Sequence, residues 1–157
     1  MAVWQVDFHV VPRRALPATS QALARAVADD TDWWASAAFP ADYPARLAAV
    51  APVARSRSDG LETWGSEEGN RVDVWSESGR VHRVMARVDV RRLDSKFGAA
   101  LIHFVRSAGA VLVRADGLLV EPIINAYVGA LRGSEAWRFA SDAMTFLASH
   151  PDDDGAD

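Results

Sequence analysis

Cysteine and histidine perform much of protein chemistry, and in this chain cysteine is absent and the histidines are few and far apart. The sequence contains no cysteine and four histidines: His9, His82, His103 and His150. Because no two histidines lie at the spacing of metal ligands, the sequence predicts no metal site, and without a thiol it predicts no disulfide or cysteine nucleophile. A phosphate-binding glycine loop, a nucleophile elbow, a His-Glu-x-x-His pair and EF-hand spacing are also missing.

Four carboxylates near the middle of the chain are dense enough to suggest paired acid–base catalysis: Glu67, Glu68, Asp73 and Glu77. A general acid also needs burial to raise its pKa, whereas these residues fall in a predicted turn and on an exposed strand face. We therefore interpret them as surface residues, and we predict no catalytic residue and no cofactor.

The composition is that of an ordinary globular protein rather than of a nucleic-acid or membrane-surface binder. Of the 157 residues, 50% are hydrophobic and 24% are charged, and the net charge is -4. Binding to phosphates or anionic lipids rests on an excess of Lys and Arg over the contact face, so we expect neither partner.

No signal peptide opens the chain and no apolar run reaches the roughly 20 residues of a membrane span, which favours a cytoplasmic protein. We predict one domain over 1–149 and a frayed acidic tail over 150–157.

The elements that must position any site follow an α+β order. Period-two alternation and apolar runs between turn signals predict strands at 3–11, 61–64, 71–77, 81–91, 110–115 and 118–121. Helical spacing and capping residues predict helices at 20–28, 44–50, 95–108, 123–132 and 134–148. The N-terminal strand, a three-strand meander and a later hairpin make an antiparallel sheet, with the helices packed mainly on one of its faces.

Two local details of this arrangement are specific. On the helix at 95–108, Leu101 and Phe104 fall on the buried face, whereas His103 falls on the polar side. Between the last two strands, Asp116-Gly117 is a strong hairpin signal, and we predict a two-residue turn with a positive φ at both positions.

A long irregular segment from Asp29 to Ser58 carries four aromatic residues: Trp33, Trp34, Phe39 and Tyr43. Aromatic residues at this spacing are typical of a loop that is anchored to the core. The alternative is a cluster that faces a ligand, in a pocket between the Trp33/Trp34 loop and the sheet.

Alternation along three strands predicts one outer surface of mixed charge. If the apolar sides of 3–11, 71–77 and 81–91 all face the helices, their other sides share the opposite face: Gln5, Asp7, His9, Asp73, Trp75, Glu77, Arg83, Met85, Arg87 and Asp89.

One interpretation of this surface is a plain solvated sheet face with weak cross-strand ion pairs. The other is a partner-binding face, because Trp, Met and Arg are enriched at interfaces. For that second case we expect Trp75 to be partly exposed beside Arg83 or Arg87. The candidate partner-binding residues are Asp7, His9, Asp73, Trp75, Glu77, Arg83, Arg87 and Asp89.

In its general character, a small α+β chain with Trp-Gly and Gly-Asn turns and no catalytic motif, the sequence is similar to many proteins encoded beside bacterial toxins. The leading hypothesis is therefore a non-enzymatic protein-interaction domain, such as an immunity-type inhibitor that masks a partner protein. The alternative is a small-molecule-binding protein or an enzyme with a pocket near the Trp33/Trp34 loop, using His9 or His82. A homodimer that pairs through the outer face is a third possibility.

Overall fold

The structure of the protein, a computed structural model, describes residues 2–54 and 58–149. Within these ranges six antiparallel strands form one sheet in the order β2-β3-β4-β1-β5-β6. The strands are β1 (Gln5–Pro12), β2 (Leu61–Gly65), β3 (Arg71–Glu77), β4 (Arg80–Asp89), β5 (Ala110–Arg114) and β6 (Leu119–Val120). The predicted N-terminal strand, meander and hairpin are all present, and β1 joins them by pairing with β4 on one side and β5 on the other. The predicted tail at 150–157 lies outside the described residues.

Five α-helices in the described part of the chain accompany the sheet, which confirms the α+β prediction. They are α1 (Ser20–Ala28), α2 (Tyr43–Ala48), α3 (Ser95–Ser107), α4 (Ile124–Arg132) and α5 (Glu135–Ser149). Three helices begin at side-chain caps, because Thr19, Asp94 and Ser134 accept hydrogen bonds from backbone N–H groups of the first turn. No helix within 2–54 or 58–149 is long and apolar enough to cross a membrane.

The inner face of the sheet, which is the face of β1 that carries Phe8, packs against α3 and α4. The ring of Phe8 lies 6.0 Å from the ring of Tyr127 on α4. On α3, Leu101 and Phe104 are buried and His103 is exposed. The prediction of which face of this helix is buried is therefore confirmed, and its apolar residues pack in the core.

The outer face of the sheet, on the opposite side, is partly covered by α1. Over β1 and β5 it carries three fully buried valines: Val11, Val111 and Val113. Ala24 of α1 lies so close to the β5–β6 turn that a Cβ added to Gly117 would be 2.7 Å from it. Beyond the end of α1, Asp30 forms an ion pair with Arg83 of β4. The helices thus pack mainly on the inner face, and α1 divides the outer face into a covered part over β1 and β5 and an open part over β2, β3 and β4.

The turn between β5 and β6 is not the predicted two-residue turn, and that prediction is wrong. Gly117 has a φ of +92°, but Asp116 does not have a positive φ. The N–H of Gly117 donates to the carbonyl of Arg114 at 2.8 Å, and the N–H of Arg114 donates to the carbonyl of Leu118 at 2.9 Å. These bonds close a three-residue loop that ends on a left-handed glycine. A two-residue turn with two positive φ values occurs instead at Ser78-Gly79, between β3 and β4.

Trp33 and Trp34 are buried and anchor the segment after α1 to the core, as predicted. The indole N–H of Trp34 donates to the backbone carbonyl of Val10 at 3.0 Å, just past the last residue of β1 that pairs with β4. Phe39 then packs between Trp34 and Phe104, with ring centroids 4.8 and 5.9 Å away. The segment therefore passes from the outer face, where α1 lies, to the aromatic core of the inner face.

The two edges of the sheet differ. The edge of β2 is covered by residues 52–54, because the N–H of Ala54 donates to the carbonyl of Thr63 at 2.8 Å and the N–H of Gly65 donates to that of Pro52 at 2.7 Å. Among the described residues the sheet ends at β6 on the other side, and the side chain of Leu119 there is 42% exposed. One edge is thus paired and the other is open.

Candidate functional site

The structure brings most of the predicted partner-binding residues to the outer face, but it buries half of them. The residues that share this face are Asp7, His9, Asp73, Trp75, Arg83, Arg87 and Asp89. The buried ones are Asp7, His9, Asp73 and Asp89. Glu77 is exposed but lies past a β-bulge that follows Trp75, next to the hairpin turn, and stands apart from the rest. Of the eight candidates, Trp75, Arg83 and Arg87 combine the outer face with partial exposure.

The buried carboxylates on this face are already neutralised by arginines of the same protein. Arg87 grips Asp7 with two hydrogen bonds of 2.7 and 3.1 Å between β4 and β1. One strand further out, Arg71 lies 2.9 Å from Asp73, which also accepts a 2.7 Å hydrogen bond from the hydroxyl of Thr63. Bonding to the Asp7 carboxylate raises the pKa of Arg87, so this guanidinium stays charged. The Asp7–Arg87 pair links β1 to β4, whereas the Arg71–Asp73 pair lies within β3.

His9 is buried on the outer face, near Asp30 of the segment that follows α1. The residue is 6% exposed, and its Nδ1 atom has no hydrogen-bond partner among the described residues. Burial lowers the pKa of His9, and the guanidinium of Arg83 lowers it further, while Asp30 and Asp7 act in the opposite direction. The imidazole is therefore neutral near pH 7, and it cannot reach a partner or a substrate from this position.

Trp75 and Arg83 form the open centre of the face. The guanidinium of Arg83 lies 4.2 Å above the centroid of the Trp75 ring, which is a cation–π distance. Asp30 holds the same guanidinium from the side of α1 at 3.0 Å. Trp75 is partly exposed beside Arg83, as the sequence analysis expected for a binding face. The Trp75 ring and the guanidinium that covers it are both partly exposed, so this stack can be reached from solvent.

A second stack of the same kind lies at the opposite end of β4. There Arg91 covers the ring of Trp4 at 4.2 Å and also hydrogen-bonds to the carboxylate of Asp89 at 2.7 Å. Although burial acts in the other direction, the hydrogen bonds from Arg91 lower the pKa of Asp89. Asp89 is thus an ionised structural residue, and its partner was not among the residues that the alternation predicted.

A cleft of about 640 Å³ lies next to the aromatic segment, on the side predicted for a pocket. Its walls are residues 34–41, Tyr43 and 79–81. The hydroxyl of Tyr43 donates to Glu62 at 2.5 Å, and burial together with this bond raises the pKa of Tyr43 to about 12. Tyr43 therefore stays protonated at neutral pH, and its one proton is engaged by Glu62.

Sequence analysis missed three residues that complete the outer face: Asp30, Thr63 and Arg71. Arg71 could have been found, because it lies two residues before Asp73 on the same alternating strand and pairs in register with Arg87. Asp30 could not, because it reaches the face only through a left-handed backbone, with a φ of 55°, after the end of α1.

Within 2–54 and 58–149 no group of three or more His, Asp or Glu side chains is placed to hold a metal ion. Comparison with known proteins adds no assignment: no family model, no curated protein and no solved structure matches the chain.

Proposed function

We propose that the protein is a non-enzymatic interaction domain that binds a protein partner through the open part of its outer face. The interaction surface of this proposal consists of Trp75, Arg83, Met85 and Arg87. The observation that carries it is the stack of Arg83 on a partly exposed Trp75, with Asp30 fixing the guanidinium.

Tryptophan and arginine dominate the binding energy of many interfaces, where they act as central anchors. Anchors are most effective when their rotamers are fixed before binding, because less side-chain entropy is then lost on association. Arg83 meets this condition, since it is held between an aromatic ring and a carboxylate. Trp75 meets it too, because its ring lies beneath that guanidinium on a paired strand.

Within this class we propose an immunity-type inhibitor, a small protein that masks a bacterial toxin. This finer assignment rests on the general similarity of the sequence to proteins encoded beside toxins.

The test compares Trp75→Ala with Trp4→Ala, since both rings lie 4.2 Å beneath an arginine and only Trp75 belongs to the interaction surface. The partner is first captured from a native lysate with the wild-type protein, identified and purified, and its Kd is then measured for each variant. We expect Trp75→Ala to weaken binding by about 30-fold or more, the effect of an interface anchor worth roughly 2 kcal/mol. Trp4→Ala should leave the Kd within about threefold of wild type.

Thermal unfolding of the same variants separates binding from folding. As an anchor, Trp75 should be dispensable for the fold, so Trp75→Ala should leave the melting temperature nearly unchanged. A loss of about 3–5 kcal/mol in the free energy of unfolding would identify Trp75 as a core residue instead and would remove the basis of the proposal. Equal Kd values for the two tryptophan variants would have the same consequence.

The cleft beside Trp34 favours a second candidate, a small-molecule-binding protein. Its volume of about 640 Å³ lies in the range of ligand sites, and one wall is rich in aromatic side chains. Ala38→Trp, on the wall of this cleft, should fill it while leaving the interaction surface intact. A metabolite that raises the melting temperature of wild type but not of Ala38→Trp would support this candidate. An equal rise in the melting temperature of both proteins would exclude the cleft as the binding site of that metabolite.

A further inference from the structure

The backbone of Leu119 is directed away from the sheet. In the β5–β6 pair, Leu119 lies opposite Val113, and the next pair is Val120 with Leu112. The N–H of Arg114 donates to the carbonyl of Leu118, so the backbone carbonyl of Leu118 points towards β5. Because the direction of backbone groups alternates along a strand, the N–H and C=O of Leu119 point out of the open edge. They form one donor and one acceptor, side by side, and no strand of residues 2–54 or 58–149 pairs with them.

Apolar side chains surround this edge. Four large ones within seven residues of chain are between 42% and 53% exposed: Leu118, Leu119, Ile123 and Ile124. The two isoleucines begin α4, which contacts β6. Leu119 faces the outer side of the sheet, like its cross-strand partner Val113, whereas the two isoleucines belong to the helix on the inner side. Over both sides of the edge, the four residues leave roughly 340 Å² exposed, an amount comparable to the largest apolar patch of a typical monomer.

We propose that β6 pairs antiparallel with β6 of a second copy of the chain, around a two-fold axis at Leu119. In this arrangement the two Leu119 residues exchange both backbone hydrogen bonds, so each outward donor meets the outward acceptor of the other copy. A strand that offers one donor and one acceptor from the same residue is self-complementary in this way.

The register that follows brings no like charges together. Leu118 lies opposite Val120 of the second copy, and Glu121 lies opposite Gly117. Glu121 is already paired with Arg13 of its own chain at 2.6 Å, and Asp116 with Arg114. The centre of the interface is therefore apolar and its nearest charges are neutralised, as in the central part of stable interfaces.

The exposed area sets the expected strength of the dimer. A standard interface buries about 800 Å² on each partner, of which roughly 60% is apolar, so the four side chains supply about two thirds of the apolar part. We expect a dimer of micromolar rather than nanomolar affinity. The dimer uses β6 at one edge of the sheet, and the proposed partner surface lies on β3 and β4, so the two use separate residues.

The absence of cysteine from the chain permits a direct test by site-specific cross-linking. Leu119→Cys is compared with Leu93→Cys, on the loop before α3, because the two leucines are 42% and 44% exposed. Two residues paired across an antiparallel axis have their Cα atoms about 5.5 Å apart, a separation that a disulfide spans. We expect mild oxidation to convert Leu119→Cys to a covalent dimer at least tenfold faster than Leu93→Cys.

The oligomeric state of the unmodified chain completes the test. Light scattering during gel filtration should show a dimer at about 200 µM, well above a micromolar Kd, and a monomer for Leu119→Lys. Leu93→Lys should remain dimeric. If Leu119→Lys does not fold, Leu119→Pro serves instead, because it deletes an N–H that makes no bond to β5. A monomeric wild type at this concentration, equal cross-linking of the two cysteine variants, or a dimer that survives both changes at Leu119 would overturn the proposal.

Discussion

The ion pair between Asp7 and Arg87 is the best place to test how the outer face contributes to stability. Asp7→Ala removes a carboxylate that lies on the central strand and is bound by two guanidinium nitrogens. The guanidinium left behind faces Arg71, its cross-strand neighbour, and retains only the more distant carboxylate of Asp73 nearby. The variant therefore leaves an unbalanced positive charge between β1 and β3.

The expected cost follows from the burial of the pair. The side chains of Asp7 and Arg87 are 10% and 19% exposed. Removing one partner of a buried pair costs about 3–5 kcal/mol, because the other charge stays desolvated. Arg87 keeps some contact with water, so we expect the lower end, about 3 kcal/mol for Asp7→Ala. The double variant Asp7→Leu with Arg87→Met removes both charges and should lie within about 1 kcal/mol of wild type.

Urea unfolding, followed by tryptophan fluorescence, measures these free energies by linear extrapolation. The matched control is Glu121→Ala, which breaks the Arg13–Glu121 pair. That pair is as short, at 2.6 Å, but its side chains are 55% and 48% exposed. An exposed pair contributes little, so this change should cost less than about 1 kcal/mol. Burial does not explain the contribution of the Asp7–Arg87 pair if Glu121→Ala lowers the free energy of unfolding as much as Asp7→Ala does. The same conclusion follows if Asp7→Ala lowers it by less than about 1 kcal/mol.

Three further outcomes are expected. In urea unfolding, Phe104→Ala should cost about 3–5 kcal/mol and the exposed His103→Ala far less; the reverse order would place the wrong face of α3 in the core. Gly117→Val should cost about 2–5 kcal/mol, from a strained positive φ and the contact with α1, and an unchanged melting curve would contradict the turn geometry. His9 has a lowered pKa in the folded state, so its contribution to stability is complete above its unfolded pKa of about 6.5 and is lost as the pH falls below it. The difference in unfolding free energy between wild type and His9→Gln should therefore change between about pH 7.5 and 5.5, and a constant difference would show that His9 does not titrate as a buried neutral imidazole.

Alternation predicted the sheet because a strand with one buried face has to repeat every two residues. It assigned Val72 and Val74 to the inner face and Trp75 to the outer face, and both valines are fully buried. The same pattern says which side a residue faces but nothing about what lies on that side. For this reason it could not predict that His9 is buried, since Asp30 approaches it from a distant part of the sequence.

The two hairpin turns show a related limit. Asp-Gly is the stronger signal for a two-residue turn, yet that geometry occurs at Ser78-Gly79. The turn at Gly117 packs against α1, and the pairing of Arg114 with Leu118 sets a loop of three residues. A glycine predicts that one positive φ is available, whereas tertiary contacts decide how many residues the loop contains.

The central position of β1 has a consequence for the order in which the protein folds. Its ion pair with Arg87 spans 80 residues of sequence, and its other neighbour, β5, begins only at Ala110. The meander from β2 to β4 can form from local contacts, but β1 has to wait for partners that leave the ribosome much later. Contacts of such long range slow folding to milliseconds or seconds. Until then β1 is an apolar strand with two open edges, so it is the segment of the nascent chain most exposed to misassociation and the one that chaperones would need to cover.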